Sequence, residues 1–119
     1  MFKLTPLTAA LLVMISAQAM ADDSLSNQNQ AGTANIADVK QTQAPFSTAT
    51  QTQLGQGNDA AAVQDHASSV ITQDAVGDYN AGYAEQLYED NATITQQPVG
   101  AFNTAHASQS LGFGAPNSA

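Results

Sequence analysis

Every second residue of this chain belongs to one of two sets that differ in chemistry. One set reads Ser24, Ser26, Gln28, Gln30, then Ser47, Ala49, Gln51, Gln53, then Ser69, Ile71, Gln73, Ala75, and last Ala92, Ile94, Gln96, Pro98. A second series keeps the same alternation: Asn35, Ala37, Val39, Gln41; Asn58, Ala60, Ala62, Gln64; Asn80, Gly82, Ala84, Gln86; Asn103, Ala105, Ala107, Gln109. The residues between them carry the strand charges Asp38, Lys40, Asp59, Asp74 and Glu85, together with His106. Side chains two apart share a face of an extended strand, so a period of two that sorts charge to one face predicts strands, whereas a helix would scatter it. Each small, aliphatic and amide face is the one expected to turn inward.

These strands recur at a fixed interval. Residues 53–64 read Gln, any, Gly, two free, Asn, any, Ala, three free, Gln, and residues 30–41 repeat that order. Residues 77–86 and 100–109 keep the Gly, the Asn and the closing Gln. Gly32, Gly55, Gly77 and Gly100 are therefore spaced by 23, 22 and 23. A period of this size means stacked structural units, each a strand, a Gly-containing turn, a strand and a second turn. Glycine supplies the permissive backbone at the first turn and Asn suits its exit. The second turns are expected at residues 42–46, 65–68 and 87–91, where the one-residue irregularity costs least. The fold class that follows is all-β, a solenoid or cross-β stack of four imperfect repeats at about 24–46, 47–68, 69–91 and 92–109.

The inward faces carry ten Gln and four Asn. A buried polar group without a partner costs about 1–3 kcal/mol, so fourteen unpaired amides would exceed the roughly 5–15 kcal/mol by which domains are stable. Identical amides stacked in register satisfy one another, each donating to one copy and accepting from the other. The residues expected to form such ladders are Gln28, Gln30, Asn35, Gln41, Gln51, Gln53, Asn58, Gln64, Gln73, Asn80, Gln86, Gln96, Asn103 and Gln109. The end rungs of one molecule lack a neighbour on one side, so the expectation is a marginal monomer and a stable stack of many copies.

Composition narrows the setting. Lys3, the apolar residues 4–17 and the small residues Ala19 and Ala21 form the layout of a secretory leader, with cleavage expected after Ala21 and a mature segment from residue 22. No stretch is long enough to cross a membrane as an apolar helix. The formal charge of −8 becomes −9 once Lys3 is removed (−8 − 1), which makes nucleic acid an unfavourable partner. There is no cysteine. His66 and His106 are separated by two repeats, and no catalytic, metal-binding or cofactor-binding constellation is visible, so no enzyme activity is expected. The outward acids are expected to slow premature stacking by repulsion. Tyr79 and Phe102 hold equivalent turn positions, which suits either a stack at one corner of the solenoid or an exposed pair in a flexible turn. Thr48, Thr50 and Thr52 on one outward face, with Thr93 and Thr95 on another repeat, raise an ice-binding solenoid as an alternative, although Val70 and Asp74 interrupt the array. A disordered secreted binding protein is the second alternative.

The repeat resembles the curlin repeat of bacterial curli fibre subunits: Ser, five free, Gln, any, Gly, two free, Asn, any, Ala, three free, Gln. Residues 24–41 and 47–64 match every fixed position. The third unit has Ala75 where the repeat has Gln and Gly82 where it has Ala; the fourth has Ala92 for Ser and Pro98 for Gln. The resemblance spans about residues 24–109, leaving 110–119 as a tail. It implies a secreted subunit that passes an outer-membrane export pore unfolded and polymerises into cell-surface amyloid fibres of a biofilm matrix, aided by a nucleating or co-subunit. Its partner is then chiefly itself.

Overall fold

The computed structural model describes residues 23–110. The expected leader, with Ala19 and Ala21, and the tail beyond Ser110 lie outside them. Within these residues the chain is all-β, with no helix, and winds into a β-solenoid of about four turns. The strands are β1 (Leu25–Thr33), β2 (Ile36–Thr42), β3 (Thr48–Gln56), β4 (Asp59–Asp65), β5 (Ser68–Asp78), β6 (Ala81–Leu87), β7 (Asp90–Gln96), β8 (Val99–Ala101) and β9 (Thr104–Ser110). Odd-numbered strands β1, β3, β5 and β7 pair in that order as one parallel sheet, to which β8 adds on β5. The facing parallel sheet has the order β2, β4, β6, β9. Each turn of the solenoid thus contributes one rung to each sheet.

Register follows the glycine period. Gln28 lies beside Gln51, and Gly32 beside Gly55; Gln51 lies beside Gln73, and Gly77 beside Gly100. The glycines are required for a steric reason. Gly55 has φ +127°, and a Cβ placed there would lie 2.0 Å from the Gly77 carbonyl oxygen. Adjacent rungs approach through bare backbone at this corner, and no side chain fits between them. Directly after it, Ala34, Gly57, Tyr79 and Phe102 occupy left-handed backbone in successive rungs, each turning the chain into the Asn that opens the next strand.

At the opposite corner the strands run further than expected. Residues 42, 65 and 87 are still paired in strands, so the first connection shifts to residues 43–47 at the same length while the other two shrink to 66–67 and 88–89. The 22-against-23 irregularity sits here. Phe46 and Asn91 take left-handed backbone in the second and fourth rungs, and the third rung, which enters β5 directly at Ser68, has no such residue. The pairing of β5 with β7 slips by one between Ser68 and Val70 to absorb Asn91. A second departure lies in the fourth rung, where Pro98 separates β7 from β8 because its nitrogen has no proton to give to a ladder.

The space between the sheets is narrow and filled by small side chains. Ala49, Ala62, Ile71, Ala84 and Ile94 form its apolar cluster, with Val39 and Ala107 against it at the two ends. Amides share that interior rather than avoid it: Gln51, Gln64, Gln86 and Asn58 are fully buried. Glu89 lies in the expected turn 87–91, yet it is buried where the outward-face acids Asp38 and Asp59 are exposed. In each short connection the left-handed residue (Gln43, His66, Tyr88) swings outward and the next one turns in, and Glu89 holds the place that the buried Ala44 and Ala67 hold in earlier rungs.

Candidate functional site

The candidate site is the set of amide columns that runs the length of the solenoid. In the first sheet, Gln28 Nε2 donates to Gln51 Oε1 at 3.2 Å, Gln51 to Gln73 at 2.9 Å and Gln73 to Gln96 at 2.8 Å. In the facing sheet Gln41 donates to Gln64, Gln64 to Gln86 and Gln86 to Gln109, at 2.8, 3.0 and 3.1 Å. Both columns are unbroken over four rungs and point the same way, every nitrogen donating toward the rung that follows in sequence. A third column, Gln30 to Gln53 at 2.8 Å, stops there. Ala75 and Pro98 occupy its next two positions.

Each Gln nitrogen has a second proton, and its use was not foreseen. Outside Gln28 and Gln30 of the first rung, it crosses the interior to a backbone carbonyl of the facing sheet: Gln51 to Asp38, Gln73 to Ala61 and Gln96 to Tyr83, at 2.9, 3.1 and 2.9 Å. Gln53 reaches Ile36 O at 2.6 Å, and Gln64 reaches Ser69 O at 2.9 Å. The ladders therefore tie rung to rung and sheet to sheet with one side-chain type. No buried side-chain nitrogen or oxygen among the described residues lacks a partner.

The asparagines behave differently from the side-chain-to-side-chain ladder expected of them. Asn35 Oδ1 accepts from the Asn58 backbone N–H at 3.0 Å, Asn58 Oδ1 from that of Asn80 at 3.0 Å, and Asn80 Oδ1 from that of Asn103 at 3.1 Å. Their nitrogens go to the glycine corner: Asn35 to Gly55 O, Asn58 to Gly77 O and Asn80 to Gly100 O, at 3.1, 2.8 and 2.9 Å. The reason is reach. One methylene shorter than Gln, Asn stays near its own main chain and there pins the backbone of the next turn. Direct Asn-to-Asn contacts are added at only two steps, Asn58 to Asn35 and Asn103 to Asn80. A similar side-chain-to-backbone column forms at the other corner, where Ser24 Oγ donates to Ala44 O and Ser47 Oγ to Ala67 O.

The two ends of this array are open and unlike. Among the described residues, the Oε1 atoms of Gln28 and Gln41 in the first rung accept no hydrogen bond, although each nitrogen donates onward. In the last rung, again among the described residues, Gln96 and Gln109 use their nitrogens only toward Tyr83 O and Thr93 O, and no amide follows them. The chain matches no family model and no curated protein.

Outside the columns, aromatic rings stack rung on rung. Tyr79 and Phe102 lie 5.3 Å apart with planes 9° from parallel at the glycine corner, the stacked one of the two arrangements their spacing allows. His66 stacks on Tyr88 at 4.9 Å and His106 on Tyr83 at 5.1 Å. His66 Nδ1 also lies 2.8 Å from Asp65 Oδ1. Partial desolvation, and after it the charge and hydrogen bond of Glu85, raise the Tyr83 phenol above its ordinary pKa.

Proposed function

We propose that this chain is a secreted structural subunit that stacks on copies of itself, carrying its amide ladders from one molecule into the next to build an extracellular cross-β fibre of the curli kind. The observation that carries this reading is the pair of unbroken Gln columns ending in complementary groups. Among the described residues, free Oε1 acceptors lie at one end and unused Nε2 protons at the other. The last rung of one copy set on the first rung of another extends Gln96 to Gln28 and Gln109 to Gln41 with the polarity kept. Head-to-head contact would oppose acceptor to acceptor and leave both unsatisfied. The same junction pairs two exposed strand edges, which are otherwise open to any chain.

The resemblance of residues 24–109 to the curlin repeat supports the same reading, and through it a role in biofilm matrix and adhesion. An outer-membrane export pore and a nucleating co-subunit are the further partners this proposal includes. The deciding experiment is incubation of the chain lacking residues 1–21 at rising concentration, followed by circular dichroism and fibre diffraction. Fibres with a meridional spacing of about 4.8 Å are expected. A compact species that stays monomeric for weeks refutes the reading, and thermal hysteresis of that monomer would favour the ice-binding alternative. The threonine array offers that alternative one column, Thr50, Thr72 and Thr95, between columns interrupted by Val70 and Asp74.

A further inference from the structure

The two outer faces of the solenoid differ sharply in chemistry. The outer face of the sheet β2–β4–β6–β9 bears Asp38, Lys40, Asp59, Asp65 and Glu85. Among the described residues, the outer face of β1–β3–β5–β7 has Asp74 as the one carboxylate at its middle, with Asp78 and Asp90 at its margins. Exposed large hydrophobic side chains follow the opposite distribution. Leu25, Leu54, Val70, Val76 and Val99 lie on the second face, Ile36 alone on the first, and Phe46, Tyr79, Tyr88 and Phe102 at the corners. On the second face Leu54, Val76 and Val99 form one column, and Thr50, Thr72 and Thr95 another, each in register across three rungs.

We infer that this weakly charged face is covered by the same face of a second copy of the chain, so that the fibre consists of two solenoid filaments facing each other. The inference rests on the proposed fibre. Across its middle this face has one ionic side chain, Asp74, where the opposite face has Asp38, Lys40 and Glu85, so covering it desolvates the fewest charges. Flat rows of Thr, Val and Leu meeting their own copies across about 10 Å form the dry, self-complementary contact of stacked sheets.

Area explains why the contact belongs to filaments and not to free chains. Nine residues at about 3.3 Å by four rungs at about 4.8 Å give roughly 30 × 19 Å, or about 1,100 Å² over two facing chains. That is below the roughly 1,200–2,000 Å² of a stable pair, and it grows with every chain added to the filament.

Mass per unit length, measured on unstained fibres by dark-field electron microscopy, tests this. Wild-type fibres are expected to hold two chains per four-rung step. Thr72→Lys and Val76→Lys, each placing a cation row on the contact, should halve that value, while Val63→Lys on the charged face should leave it unchanged. If the lysine variants do not assemble, Asp74→Asn keeps the test open, because removing the central carboxylate should raise the share of double-width fibres under conditions where wild type shows both widths. Single-width wild-type fibres, or lysine variants that keep the double value, overturn the inference and leave the fibre proposal standing. A wild-type chain that forms no fibre sinks both.

Discussion

Removing Gln51 and Gln53 together, as Gln51→Ala with Gln53→Ala, should delay fibre formation far more than removing Gln96 and Gln97. Gln51 takes part in three hydrogen bonds, from Gln28, to Gln73 and to Asp38 O, and Gln53 in two, from Gln30 and to Ile36 O. Gln96 has two, from Gln73 and to Tyr83 O, and Gln97 has a single long one of 3.4 Å to Asp74 on the exposed face. With a net value of about 1 kcal/mol per bond, the surplus of three well-formed bonds is about 3 kcal/mol. That corresponds to roughly a hundredfold in the population of the folded solenoid from which a nucleus forms. The difference should narrow in mature fibres, where Gln96 gains Gln28 of the next copy as a further partner. The assay is the lag time in a dye-binding experiment at matched concentration, paired with the denaturant midpoint of the finished fibres. Equal lags for the two double variants would refute the reasoning. So would a lag difference accompanied by an equally large difference in fibre stability, because that would mean Gln96 gains no partner from the next copy.

Three further outcomes are expected. Gly55→Ala and Gly100→Ala share a backbone strain of about 1–3 kcal/mol (φ +127° and +109°), but only Gly55→Ala adds the clash with Gly77 and should abolish the solenoid; Gly100→Ala, whose Cβ would meet nothing nearer than Asn103 Nδ2 at 3.4 Å, should keep more β-structure than Gly55→Ala by circular dichroism. Lowering the pH from 7 toward about 4 neutralises exposed carboxylates and should shorten the lag, and rates that stay flat over that range would contradict the repulsion argument. At high pH the sign comes from Tyr83. Its folded-state pKa is raised, so its contribution is intact below the unfolded value near 10 and is lost as pH rises through the folded value. Tyr83→Phe should therefore move alkaline loss of the β signal to higher pH, as followed by circular dichroism.

Much of the architecture was legible because it rests on repetition. A glycine every 22 or 23 residues and amides at fixed offsets set register without knowledge of any contact, and Gln28, Gln51, Gln73 and Gln96 stack as their spacing requires. What stayed hidden depends on side-chain reach and on corner backbone. Asn and Gln are both amides in a pattern, yet one methylene sends Asn58 to the backbone and Gln64 to the next side chain. The cross-sheet bond from Gln51 to Asp38 O requires the sheet separation, which alternation does not contain. The burial of Glu89 stayed unread because a left-handed Tyr88 before it, which redirects the chain, leaves no mark in a two-residue period. A more direct signal was available at that site, since Glu89 aligns with Ala44 and Ala67, two small residues at a place that then reads as interior.

The short third column, in which Ala75 and Pro98 follow Gln30 and Gln53, acts as a ruler. Were all four rungs alike, an endless stack would scatter only at the strand separation. Because the blemish returns once per molecule, the axis acquires a second, longer period of about 19 Å, four times the separation of about 4.8 Å. A weak meridional reflection at that spacing would count whole molecules along the fibre, and restoring glutamine at both positions should dim it.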